Sequence, residues 1–261
     1  VIVSVAGIVT ATIIGFIVGI GRLSSNWLVA RLSEVYVEIF RNIPPLLVIF
    51  FFYTGVLALL PSARDSIALP LDIYLNNRGL AFPTPIFGPG SWLMGAALVA
   101  AIVAVVALAV WSKRRQMATG QQFPTIRVSI AILILLPLIA YFVSGMPVTF
   151  DIPVKGRFNL AGGAVIGPEF MSLYLALSLY TAAFMAEIIR GGILGVAKGQ
   201  TEAAGALGLH PRKVTRLVVV PQAMRIIIPP MTSEYLSLTK NSSLAVAIGY
   251  ADIVAVGKTV L

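Results

Sequence analysis

Long apolar runs separated by short polar gaps make up most of this chain, and the runs lack the two-residue alternation of a membrane strand. A helix needs roughly 20 mainly apolar residues to cross a bilayer, because each adds about 1.5 Å. In lipid the backbone must satisfy its own hydrogen bonds, so helices are the default. The runs predict spans over Val1–Ile20, Ile43–Pro61, Trp92–Trp111, Val128–Ser144, Phe170–Ile189 and Gln222–Leu238. The first carries Gly15 and Gly19 four residues apart, a small-residue face suited to close helix contact. Before the second, Glu34 to Arg41 is amphipathic, and Pro44 and Pro45 fall in that span's first turn, where proline loses no helical bond. Tryptophans at both ends of the third span suit the membrane interface. The Pro- and Gly-rich stretches Pro61–Ser91 and Gly145–Pro168 are expected to be loops. Segment Asn241–Leu261 is apolar but holds Asp252 and Lys258, and reads as a re-entrant loop before a further span, not as a full crossing itself. Both chain ends lie inside apolar runs, so residues are expected to be missing on either side, and no signal-peptide pattern is visible.

Composition agrees with the pattern. The chain is 58% hydrophobic and 11% charged, against about 25% charged in soluble domains, and its mean hydropathy is +0.95. The net charge of +9 does not point to nucleic acid, because the basic residues sit in the gaps between apolar runs. If the gaps alternate sides, thirteen cations fall on one side, and Arg64, Arg78, Lys155, Arg157 and Lys240 on the other, with Lys258 unassigned. The richer side is expected to be cytosolic, and with it the long polar stretch Arg190–Val220. With no cysteine and one histidine, disulfides, thiolate sites and a histidine-based zinc site are excluded. Gly257-Lys258-Thr259 lacks the first glycine of a phosphate-binding loop, since Asp252 stands there. No metal site, cofactor or catalytic set can be assembled, so no enzymatic chemistry is expected.

The polar stretch carries the most informative pattern. Glu202-Ala203-Ala204-Gly205-Ala206-Leu207-Gly208 favours a short helix with Glu202 near its start, stopped by Gly208 and Pro211. A second short helix is expected from Arg212 to Val220, ending before Pro221. A small helix with alanine on one side can dock in a groove of another protein. An ordinary interhelical loop explains the same residues equally well.

Glu202-Ala203-Ala204, Gly208 and Val218-Val219-Val220-Pro221, in that order and spacing, resemble the EAA loop of ATP-binding-cassette (ABC) importer permeases. Valines stand where that family usually has Ile and Leu. Flanking residues Ala186 to Gly192, Pro221 to Arg225, Pro229-Pro230, Tyr36 to Glu38, Arg41 to Pro44 and Asn241 to Leu244 are similar to the polar amino-acid branch, in its larger general L-amino-acid form. The resemblance implies an all-α, polytopic, MetI-like type I importer domain. Residues 1–60 and 168–261 would form its core, and residues 61–167 would be an insertion with two extra spans. It implies a bacterial inner-membrane permease that moves amino acids without hydrolysing ATP itself. The implied partners are an ABC ATPase, a second permease subunit (identical or paralogous) and an extracytoplasmic amino-acid-binding protein. Glu202, Ala203, Ala204 and Gly208 would form the segment that couples to the ATPase. A secondary transporter or channel working alone is the alternative.

Within the spans, ionisable residues are functional candidates by default. Glu187 reads either as a pathway residue or as the structural partner of Arg190, three residues on, and the pair is the favoured reading. Glu234 and Lys240 could line a pathway or a solvated rim, and Pro229-Pro230 would break or kink the last span and free carbonyls toward a cavity.

Overall fold

A computed structural model describes residues 1–156 and 160–250. Asp252, Lys258 and Arg157 lie outside the described residues, as does most of the expected re-entrant segment. The chain forms two compact units, one of residues 1–67, 75–80 and 165–261, the other of residues 68–74 and 81–164.

In the first unit, α1 (Ile2–Gly21) lies along α6 (Pro168–Leu194). Ser4, Gly7, Ala11, Gly15 and Gly19 are the buried small residues of α1, and the four from Gly7 on repeat every fourth position. Ala182, Met185, Ala186 and Ile189 of α6 are fully buried. The approach is so close that a Cβ on Gly15 would stand 2.7 Å from the Met185 Cβ, and one on Gly19 2.7 Å from the Ala186 carbonyl oxygen. Only glycine fits there, as close helix contact in lipid requires. Hydroxyls tie α1 to α6 and to the last long helix of this unit. The Thr10 and Tyr174 hydroxyls lie 2.6 Å apart, and those of Thr12 and Tyr235 3.1 Å.

Helix α2 (Trp27–Asn42) is capped by Asn26, whose side chain accepts from the Leu28 and Val29 amides. It packs on α6 through Tyr36, whose hydroxyl donates to the Leu179 carbonyl at 2.7 Å. The chain then turns by 108° into α3 (Pro45–Phe50), with Pro44 as N-cap and Pro45 opening the helix. A π-helical turn, Phe51–Leu57, continues α3. The expected span Ile43–Pro61 is thus shortened. Six residues plus the seven of the π turn reach roughly 20 Å at 1.5 Å each, short of the hydrocarbon thickness.

The last third of this unit departs most from expectation. Helix α7 spans Lys198–Ala206, so Glu202 sits in its middle and not at its start. The Gln200 amide bonds back to the Ala197 carbonyl and the Thr201 hydroxyl to the Lys198 carbonyl, which winds the helix from the polar residues before Glu202. The predicted separate helix Arg212–Val220 is absent. Helix α8 (Pro211–Val214) runs through a π turn, Thr215–Val219, straight into α9 (Val220–Asn241). A π turn displaces one amide from the regular ladder, so Pro221, which has no N–H to place, does not stop the helix. Pro229 and Pro230 likewise lie inside a continuous α9 and do not break it. A 3₁₀ turn, Ser242–Ile248, follows.

In the second unit, α4 (Trp92–Thr119) and α5 (Thr125–Val143) form an antiparallel hairpin. Ser112 and Thr125 bridge its closed end, with their hydroxyls 2.6 Å apart. The two stretches expected to be loops hold short strands: β1 (Ile67–Leu69), β2 (Ile73–Asn76), β3 (Gly79–Phe82) and β4 (Thr84–Phe87), then β5 (Val148–Asp151), β6 (Val154–Lys155), β7 (Leu160–Ala161) and β8 (Ala164–Ile166). Strands β4 and β5 pair antiparallel with Thr84 opposite Asp151 and Phe87 opposite Val148. Strands β6 and β7 pair antiparallel as well. The glycines and prolines that suggested loops mark the turns between these strands. The fold is nonetheless mostly helical, with five helices long and apolar enough to cross a membrane, or six if the bent pair counts as one span, among the described residues.

Candidate functional site

Helix α7 is the most exposed helix of the first unit. Val196 and Ala204 are buried and fix it against the chain, while Glu202, Ala203, Gly205, Ala206 and Gly208 are exposed. Leu207, the residue that closes it, is 82% exposed. A single exposed apolar side chain is ordinary on a protein surface, but beside the small exposed residues of a short helix it forms a face that another protein's groove can accept. The Gln222 amide donates to the Gln200 side chain at 3.2 Å, which ties the start of α7 to the base of α9. Gly208 then turns the chain at φ +76°, a left-handed conformation that glycine adopts without strain. His210 caps α8 through a bond from the Arg212 amide. Sequence reasoning finds Glu202, Ala203, Ala204 and Gly208, and the structure places the first three on α7 and Gly208 in the turn that follows it. Ala204 is the only one of the four turned inward.

The ionisable candidates separate into two groups. Glu187 receives Arg190 through two hydrogen bonds, at 2.6 and 3.2 Å, and Arg22 through a direct ion pair. Its side chain is 27% exposed and that of Arg22 17%. The Arg190 partner agrees with the sequence; the Arg22 partner does not follow from it, being 165 positions away. Arg22 closes the end of α1, so the triad clamps α1 to the end of α6 from which α7 departs.

Glu234 and Lys240 line one cavity of ≈ 280 Å³ with Tyr180, Thr181, Phe184, Ser237 and Asn241. Glu234 is half-buried there. Arg41 of α2 stacks its guanidinium 5.5 Å from the Phe184 ring centroid and stands within electrostatic reach of both Glu187 and Glu234. Tyr180, Phe184 and Glu187 follow one another along α6 at three- and four-residue steps, so Arg41 faces a seam joining the cavity to the triad. Pro229 and Pro230 are exposed on α9 and do not line this cavity. Arg41 and Tyr180 are site residues that sequence reasoning misses. The cation–aromatic spacing that would reveal them exists only once α2 and α6 are packed.

Five or six helices long and apolar enough to cross a membrane, with ionisable residues gathered on α6 and α9, define a polytopic membrane protein. Residues 11–259 match the family described as binding-protein-dependent transport system inner membrane component, and the chain belongs to that family. It is 68% identical over 260 residues to the general L-amino acid transport system permease protein AapQ of Rhizobium johnstonii, which takes in 100% of this chain and 65% of that protein. It is 49% identical over 254 residues, 97% of this chain and 65% of the relative, to the putative amino-acid ABC transporter permease protein YhdX of Escherichia coli. The chain therefore spans about two thirds of the length of these relatives, 65% in each case. The fold is similar to that in a crystal structure of an amino acid ABC transporter with histidines, with a TM-score of 0.53 and 18% identity over 99% of this chain and 72% of that one.

Proposed function

We propose that this chain is the permease subunit of an ABC importer that carries amino acids across the bacterial inner membrane, and that α7 is the handle through which a separate ATPase moves it. The single observation that carries this reading is the exposed face of α7, with Leu207 82% in solvent. Membership of a binding-protein-dependent family supports a soluble binding protein as the donor of substrate, and the two relatives' names support amino acids as cargo. Closure of the ATPases would pull α7. The Arg22–Glu187–Arg190 triad would pass the movement to α1, and α6 and α9 would open or close the cavity around Glu234 and Lys240. That is a two-state element biased by nucleotide. A carboxylate and an ammonium in one cavity suit the opposite charges of a zwitterionic amino acid. The proposed partners are an ABC ATPase, a second permease subunit, identical or paralogous, and the binding protein. Residues 1–60 and 168–261 are proposed as the permease core and 61–167 as an insertion. Hydrolysis belongs to the ATPase, not to this chain.

The test uses Glu202→Lys and Gly208→Asp in the assembled transporter. Both variants should insert normally, and uptake should fall by at least about tenfold while ATPase retention weakens. Normal uptake in the double variant would overturn the reading. Gly205→Ala separates docking from folding. A Cβ there would meet nothing in this chain, and alanine favours the helix by about 1 kcal/mol. Impaired uptake with unimpaired stability is therefore expected only if another protein packs on that face.

A further inference from the structure

The closed end of the α4–α5 hairpin holds a cationic cluster that no part of the import mechanism uses. Lys113, Arg114, Arg115 and Arg127 lie within fifteen positions of sequence, and there is no acidic residue between Asp72 and Asp151. None of the four is in an ion pair among the described residues. Lys113, Arg114 and Arg127 are exposed.

Their depth is fixed by the helix. Trp92 opens α4 and Trp111 lies nineteen positions on, a rise of roughly 29 Å, which is the hydrocarbon thickness. Both tryptophans are largely exposed, at 71% and 48%, and suit the two interfaces. The cations begin two residues beyond Trp111, so they stand in the headgroup layer. Arg115 is held there by two rings, with its guanidinium 5.4 Å from Trp111 and 5.9 Å from Phe123, and it donates to Gln121 at 3.5 Å. The Ser112–Thr125 bridge holds the two helices together at this level. Arg127 lies in the first turn of α5, where the helix dipole disfavours a cation unless an anion is near.

We infer that this end of the hairpin binds the phosphate of anionic phospholipid headgroups, such as phosphatidylglycerol or its dimeric relatives. A cluster of uncompensated cations, fixed at headgroup depth beside interfacial rings, has charge and position complementary to that ligand. The lipid would hold the hairpin at one depth in the membrane. The inference requires only that the chain be inserted, and stands whether or not α7 engages an ATPase.

The protein carrying Trp27→Phe and Trp92→Phe, which leaves Trp111 as the reporter, is placed in nanodiscs containing either brominated phosphatidylglycerol or brominated phosphatidylcholine at equal mole fraction. Trp111 quenching by the anionic lipid should be about threefold the stronger at about 0.1 M salt and approach parity at about 0.5 M, because exposed charges are screened. Lys113→Gln with Arg127→Gln should remove about half of the preference, leaving Arg114 and Arg115 to carry the rest. Equal quenching by the two lipids in the unaltered cluster, which is also the outcome expected of a surface reserved for an acidic protein, overturns the inference. So does a preference that high salt and the double substitution leave intact.

Discussion

Helix α6 and the α4–α5 hairpin are both long and apolar enough to cross a membrane, yet they solve opposite problems. In its most apolar stretch α6 is 61% buried, whereas α4 is 6% buried and α5 0%. The buried helix is the more polar of the two kinds. It carries Ser172, Ser178, Thr181 and Glu187 along with its alanines. The hairpin helices instead present Val99, Ile102, Val103, Ile134, Leu135 and Ile139 outward. Lipid tails are as apolar as leucine, so apolar surface alone does not draw two helices together in a bilayer. Small residues that allow close backbone approach, and polar groups that need partners, do so. Greater hydropathy here marks the surface that meets lipid, and moderate hydropathy with Gly, Ala, Ser and Thr marks the core.

Exchanging the two kinds of surface tests that contrast. Gly19→Leu drives a side chain into the Ala186 backbone, where even a Cβ would stand 2.7 Å from the carbonyl oxygen. A loss of about 3 kcal/mol or more is expected, seen as a large drop in the thermal midpoint in detergent. At the matching position Gly95 on α4 a Cβ would meet nothing within 4 Å, and Gly95→Leu should stay within about 0.5 kcal/mol. Equal effects at the two glycines would show that hydropathy, not packing, defines the core. Glu187→Gln leaves Arg22 and Arg190 without their shared carboxylate, at sites 17% and 30% exposed. Lying between surface and buried ion pairs, it should cost about 1–3 kcal/mol and loosen coupling between ATP turnover and uptake. Ser112→Ala removes the 2.6 Å bridge in the hairpin and should cost only about 0.6 kcal/mol, with uptake intact.

The long elements were legible because their cause is local. Uniform apolar runs between Trp92 and Trp111, or from Phe170 to Ile189, leave a helix as the structure that satisfies the backbone in lipid. Helix α7 was legible through Ala203, Ala204 and Gly208, but its true start at Lys198 was not, because Lys198-Gly199-Gln200 carries no helix signal of its own. Pro221 reads as a stop and Pro229-Pro230 as a break or kink, whereas a π turn precedes the first and a continuous helix holds the other two. The strands β4 and β5 were hidden in Pro- and Gly-rich sequence because each depends on a partner more than sixty positions away. For the same reason Glu187 could be paired with Arg190 from the sequence but not with Arg22, and Arg41 could not be placed over Phe184.

The decisive measurement places a p-benzoylphenylalanine photocrosslinker at position 207, the exposed tip of α7, in the membrane of cells expressing the whole transporter. The expected product is a light-dependent adduct to a nucleotide-hydrolysing subunit, abundant in the resting complex and altered when nucleotide is trapped. Adducts to lipid alone, or none at all in an intact and transporting complex, would contradict α7 as the contact through which an ATPase drives this protein.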